Sequence, residues 1–153
     1  MRDSERSERA RRRALRGTDL VEYQRLRLQR HLESILPANR FYAAKLGERP
    51  LPLDSLDELP SWPLTTKSEL VASDGDFAAN LTWPPERYVR FHRTSGTRGR
   101  PLVVLDTAED WAWWCESWQY VLDVAELEAG DRALLAFSFG PFIGFWSAFD
   151  AAT

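Results

Sequence analysis

Between residues 19 and 36 the apolar positions Val21, Leu28, Leu32, Ile35 and Leu36 recur at intervals near 3.6, and such a stripe predicts an amphipathic helix. Pro37 ends it, since proline has no N–H to offer and clashes with the preceding turn. Phe41-Tyr42-Ala43-Ala44-Lys45-Leu46 predicts a second, short helix stopped at Gly47. From 48 to 64 the periodicity dissolves. Pro50, Pro52, Pro60 and Pro63 predict a linker-like crossing whose Leu51, Leu53, Leu56, Leu59 and Trp62 pack onto neighbours. Thr66 and Glu69 then stand at capping-box spacing, which starts a short helix through about Ser73.

After the Trp83-Pro84-Pro85 turn, Tyr88 to His92 and Leu102 to Leu105 predict two strands joined as a hairpin-like unit. Thr107 to Asp110 repeats the capping-box spacing, with Asp in place of Glu. It opens a helix with Trp111, Trp114, Cys115, Trp118, Val121 and Leu122 on one face, an aromatic stripe that reads as core. Gly130-Asp131 turns the chain into Ala133 to Phe139, a continuous apolar run that predicts a strand buried on both faces. Strand, helix and strand in succession predict an α/β layered architecture. The chain divides into a charged, flexible arm over 1–18, a helical region with its Pro-rich crossing over 19–75, and the start of an α/β domain over 76–153.

Composition narrows the classes of function without naming one. A formal charge of -3 gives no general attraction to nucleic acid or to an anionic membrane, and no apolar run approaches the length of a membrane span. The arginines of the first 16 residues are interleaved with Asp3, Glu5 and Glu8 and have no aromatic beside them, so a solvated leader is the better reading than a nucleic-acid contact. The single cysteine, Cys115, excludes an internal disulfide and a clustered thiolate site, which fits a reducing, cytoplasmic setting. No basic neighbour activates it, and it reads as a filler among the tryptophans. Two distant histidines give a zinc site little support. His31 reads as a surface residue, and Lys67 as an exposed first-turn lysine rather than a catalytic one.

The loop between the two strands carries the densest chemistry. Gly96 and Gly99 let the backbone bring N–H groups close to an anion, Thr94, Ser95 and Thr97 add hydroxyl donors, and Arg98 and Arg100 add fixed charge. Pro101 closes it. The spacing matches neither G-x-x-x-x-G-K-[ST] nor G-x-G-x-x-G, and a strand follows where those loops need a helix. From residue types alone, a phosphate cradle and an ordinary hairpin turn are equally open. His92, at the strand end before the loop, has two readings as well, a ligand contact and a structural hydrogen bond.

The run R-F-H-R-T-S-G-T-R-G-R-P from Arg90 to Pro101 resembles the ATP-phosphate signature of the adenylate-forming, acyl-activating enzymes, most closely the phenylacetate–coenzyme A ligase branch, approximately H-x-S-S-G-T-T-G-K-P. Leu64 to Leu70 resembles that family's P-x-T-x-K-x-D-L segment, and Pro37 to Gly47 its N-terminal helices. Gly130-Asp131 and the Phe137 to Gly144 stretch, F-S-F-G-P-F-I-G, fall where the family has a G-D turn and an aromatic, glycine-containing strand end. Thr94 stands for the usual first serine, Arg98 for the second threonine and Arg100 for the lysine. The resemblance covers about residue 20 to the last.

The resemblance implies an N-terminal portion of an ATP-dependent carboxylate–coenzyme A ligase acting on an aryl or arylacetic acid. It implies ATP, Mg²⁺ and coenzyme A as partners in the chemistry, and a small carboxylic acid as substrate. Thr94, Ser95, Gly96, Thr97, Arg98, Gly99 and Arg100 would then hold the β- and γ-phosphates, and Phe139, Gly140, Phe142 and Gly144 would line the acyl pocket. No catalytic residue is assigned, because the family's lid lysine has no counterpart here. The resemblance leaves room for a homodimer of the complete protein. The alternative is a non-catalytic α/β module that binds nucleotide or serves as a scaffold. The apolar run up to Thr153, which ends without a cap, reads as a truncation, with an exposed apolar patch and self-association expected of residues 1–153.

Overall fold

A computed structural model describes residues 2–47, 51–71, 77–95, 99–137 and 139–153. They form two compact units, one of Met1–Glu69 with Ala79–Trp83 and one of Leu70–Ala78 with Pro84–Thr153.

The first unit is helical. Helix α1 spans Arg2–Ala14, where the expected charged arm is ordered into helical turns. Its Glu8 pairs with Arg12 at 3.0 Å and also with Arg11, the one-turn spacings at which opposite charges support an exposed helix. Helix α2 spans Gly17–Ile35. Its buried side is centred on Leu32, and Val21, expected on that side, is half exposed. Arg25 explains the shift: its guanidinium donates to Gln29 Oε1 at 3.1 Å and to the carbonyl of Leu53 at 2.5 Å, so a charged residue occupies part of the inner face. Leu53 itself is 1% exposed. The crossing after it is not wholly irregular, for Leu56–Ser61 is a 3-10 helix capped by Ser55, which accepts from the Asp57 N–H while Glu58 reaches back to the Ser55 N–H.

Helix α3, Arg40–Leu46, ends at Gly47 with φ +63°, a conformation glycine adopts without penalty. Asn39 caps its start: the side-chain oxygen accepts from Tyr42 N at 2.9 Å, and the amide nitrogen donates to Asn80 O at 2.9 Å and Thr82 Oγ1 at 2.8 Å. This buried amide ties residues 79–83 to the helical unit. Helix α4, Lys67–Leu70, is shorter than expected, although Glu69 returns to Thr66 as the spacing predicted, accepting from its N–H at 2.7 Å. The continuation through 73 lies outside the described residues beyond Val71.

In the second unit, strands β1, Tyr88–Arg93, and β2, Val103–Thr107, form an antiparallel pair with Phe91 opposite Leu105 and His92 opposite Val104. The expected hairpin is present. Helix α5, Ala108–Val124, begins with the expected reciprocal cap, Thr107 Oγ1 accepting from Asp110 N at 3.2 Å and Asp110 Oδ2 from Thr107 N at 2.9 Å. Helix α6, Ile143–Ala152, lays its small buried residues Ser147, Ala148 and Ala151 toward α5. Trp118 Nε1 donates to Ser147 Oγ at 2.9 Å and Gln119 Nε2 to Ala151 O at 2.5 Å. Trp111 is the buried member of the α5 stripe, whereas Val121 is exposed.

The α/β expectation holds only in its coarse form. Among the described residues the fold is mostly helical with one two-stranded sheet. The strand expected at Ala133 to Phe139 does not form over 133–137 or at 139, and Ser138 lies outside the described residues. A strand exists only where a neighbour takes up its N–H and C=O groups, and none of the described residues does so here. The backbone closes on itself instead, Phe137 N donating to Leu135 O at 3.0 Å, and Leu134 is 90% exposed. No described helix is long and apolar enough to cross a membrane.

Candidate functional site

The hairpin sets the neck of the loop. Thr94 N donates to Leu102 O at 3.0 Å, and Leu102 N donates to Thr94 Oγ1 at 2.9 Å, so a side chain completes the ladder where the strands part. The Thr94 hydroxyl accepts there and keeps its own proton to donate. Beyond the neck Ser95, Gly99 and Arg100 are exposed, and Gly99 has φ +129°, which strains any other residue. Gly96, Thr97 and Arg98 lie outside the described residues.

Beneath the neck sits a polar pair that residue spacing does not announce. His92 is 4% exposed and Asp106 5%. His92 Nδ1 lies 3.1 Å from Asp106 Oδ2, and with Asp106 ionised the ring nitrogen is the donor. Trp114 Nε1 donates to Asp106 Oδ1 at 3.3 Å. The His92 ring stacks on Trp111 with centroids 5.3 Å apart and planes 14° apart. The structural hydrogen bond, one of the two readings of His92, is made. Asp106 went unnoticed because an acidic residue in an apolar strand is legible only once its partner is known.

The aromatic segment reaches the same neck. Arg93 N donates to Pro141 O at 2.8 Å, which brings Gly140, Pro141 and Phe142 beside the end of β1. Phe139 is half exposed and packs its ring against Trp146 at 4.7 Å and Phe149 at 5.3 Å. Phe142 is half exposed too, with Phe145 at 6.0 Å edge-on. Gly140 O accepts from Trp146 Nε1 at 2.9 Å. A Cβ at Gly144 would meet nothing within 4 Å, and one at Gly140 would make only ordinary contact with Phe142. The packing of this chain therefore does not itself require glycine at either position.

The remaining candidates stand apart from this site. Lys67 and His31 are exposed. Cys115 is partly buried, and burial pushes its thiol up, with the Asp150 carboxylate adding to the effect and Arg90 opposing it. A raised thiol is a poor nucleophile at neutral pH. Among the described residues no group of three or more His, Cys, Asp or Glu is placed to hold a metal ion.

The fold is that of part of an acyl–coenzyme A ligase. 2-Hydroxyisobutyryl-CoA ligase, in an open conformation in complex with 2-HIB-AMP and CoA, superposes with a TM-score of 0.81 at 23% identity, over 94% of this chain and 34% of that one. The same enzyme in the postadenylation state with 2-HIB-AMP gives 0.81 over 94% and 31%. In sequence, phenylacetate–coenzyme A ligase of Pseudomonas putida is 33% identical over 115 residues, 75% of this chain and 26% of that protein. That of Escherichia coli (strain K12) is 31% identical over 129 residues, 80% and 29%. No family model matches the chain. The chain is a distant homologue of the phenylacetate–coenzyme A ligases and spans just over a quarter of their length.

Proposed function

We propose that this chain supplies the phosphate-holding hairpin and part of the acyl pocket of an ATP-dependent carboxylate–coenzyme A ligase. In that reaction a carboxylate oxygen attacks the α-phosphorus of ATP and pyrophosphate leaves. The thiol of coenzyme A then attacks the acyl carbon and AMP departs, which gives the thioester. The task of this chain is positioning and electrostatic stabilisation, the terms that dominate phosphoryl chemistry. The Thr94 and Ser95 hydroxyls, the backbone at Gly96 and Gly99, Thr97, and the charges of Arg98 and Arg100 hold the β- and γ-phosphates. Phe139, Gly140, Phe142 and Gly144 line the acid. Mg²⁺ offsets phosphate charge when it is bound with the nucleotide.

The observation that carries this reading is the shared neck. Its loop leaves hydroxyl, glycine and arginine exposed, and the Arg93 to Pro141 hydrogen bond sets the aromatic segment beside the end of β1, so the phosphates of ATP and the acid that attacks it would meet there. An aryl or arylacetic acid is the substrate class that the half-exposed rings of Phe139 and Phe142 favour.

The test is ATP–pyrophosphate exchange by the intact protein. Gly96→Ala and Thr97→Ala are expected to lower exchange by at least about tenfold, while Cys115→Ala leaves it within about twofold. Equal losses in all three variants, with folding intact, would remove the loop from the phosphate role.

A further inference from the structure

His92 is the one buried residue of β1. It is the buried contact between the loop end of this strand and α5, beside the Arg90 guanidinium that lies over the same Trp111 ring. The ring lies flat on Trp111, and Nδ1 donates to an aspartate on the neighbouring strand that Trp114 of α5 holds in turn. Adhesion alone does not explain a polar pair here. Two apolar residues of the same size would pack as firmly or more so, since burying charge and imidazole costs hydration that their contact only partly returns. What the hydrogen bond adds is direction. It fixes the rotation of the His92 ring at the point of the ladder where His92 faces Val104 and Arg93 faces Val103. Two residues further on, Thr94 makes the paired bonds with Leu102 and the loop begins.

We propose that His92 and Asp106 are positioning residues: their hydrogen bond sets the strand end so that Thr94 and Ser95, at the neck of the loop, are held where they receive phosphate. This rests on the reading of the loop as a phosphate holder. The side chains themselves need not touch the nucleotide. The pair acts through the neck, as groups behind a binding site commonly do when they orient the residues in front.

Two substitutions at one position separate direction from adhesion. His92→Phe keeps a ring on Trp111 and removes the donor, whereas His92→Asn gives up the ring and returns a donor near the place of Nδ1. In ATP–pyrophosphate exchange by the intact protein, His92→Phe is expected to raise KM for ATP about tenfold with KM for the acid unchanged, and His92→Asn to recover most of the loss. Hydrogen exchange at the Thr94 and Leu102 amides is expected to quicken by about tenfold in His92→Phe, with amides inside α5 unaffected. Unchanged exchange at those two amides, or a uniform quickening across the unit, overturns the positioning role. Faster exchange confined to the neck with an unaltered KM for ATP leaves the anchoring standing and overturns the phosphate reading of the loop. Should His92→Phe fail to fold, the double variant His92→Phe, Asp106→Leu leaves no buried charge unpaired and is read by the same two measurements.

Discussion

The guanidinium of Arg90 lies 4.9 Å from the centre of the Trp111 ring, and both side chains donate to a single oxygen, Asp150 Oδ2, at 3.0 and 2.8 Å. One carboxylate thereby joins β1, α5 and α6. Its removal leaves a part-buried indole N–H and a guanidinium without that acceptor. Asp150→Ala is expected to cost about 1–3 kcal/mol, and Asp150→Asn less, because the carboxamide oxygen still accepts. Urea denaturation of the intact protein measures both, and equal stability in the two variants would deny the carboxylate this role.

Thr94 has a structural duty as well as its proposed chemical one, and the two separate by substitution. Thr94→Ser keeps the oxygen that accepts from Leu102 N, while Thr94→Val keeps only the shape. The valine variant is expected to lose about 0.5–1.5 kcal/mol of stability and the serine variant little of it. ATP use should follow the same order, and a valine variant with unimpaired exchange would make the neck bond dispensable.

Acid sensitivity in the first unit is expected to pass through Glu69. Lys45, then the Thr66 N–H and the Thr66 hydroxyl, donate to its carboxylate and hold its pKa down to about 2 from the ordinary 4.5. A value lowered by folding means that the unfolded chain takes up the proton first. The stabilisation is complete above 4.5 and disappears as the pH falls through about 2. The carboxylate is exposed, so the effect is small. Glu69→Gln should flatten the decline in denaturation midpoint between those two pH values, and an identical decline would assign the acid limb to other groups.

Phe142 is expected to govern the choice of acid. Its ring is half exposed and has Phe145 on one side. Phe142→Ala should alter the relative kcat/KM for aromatic and short aliphatic acids, by the equivalent of about 1–3 kcal/mol, with KM for ATP unmoved. Acid preference that stays the same would return Phe142 to a packing role.

The elements that rest on neighbours a few residues apart were legible before any coordinates. Gly47 ends α3 and Thr107 and Asp110 cap α5, because each depends on short-range sterics and on groups that meet within one turn, and the two segments flanking the glycine-rich loop pair as β1 and β2. The place of the loop between the two strands was legible as well, and its phosphate role is the proposal that chemistry and resemblance together support. The position of the aromatic segment beside them was not, since the Arg93 to Pro141 contact spans residues far apart in the chain.

Tertiary structure decided the rest. The apolar run at 133–137 carries every mark of a strand, yet a strand needs a partner for its backbone, and with none among the described residues Leu134 stands exposed and Phe137 turns back on Leu135. Arg25 and Asn39 look like surface residues and are drawn inward by the Leu53 carbonyl and by Asn80 and Thr82. His92 and Asp106 stand 14 positions apart, and only the antiparallel pairing of β1 with β2, laid on Trp111 and Trp114, brings their side chains to 3.1 Å. A hydrogen bond is directional and short-ranged, so which polar groups share one is fixed by the packing of elements and not by the order of residues.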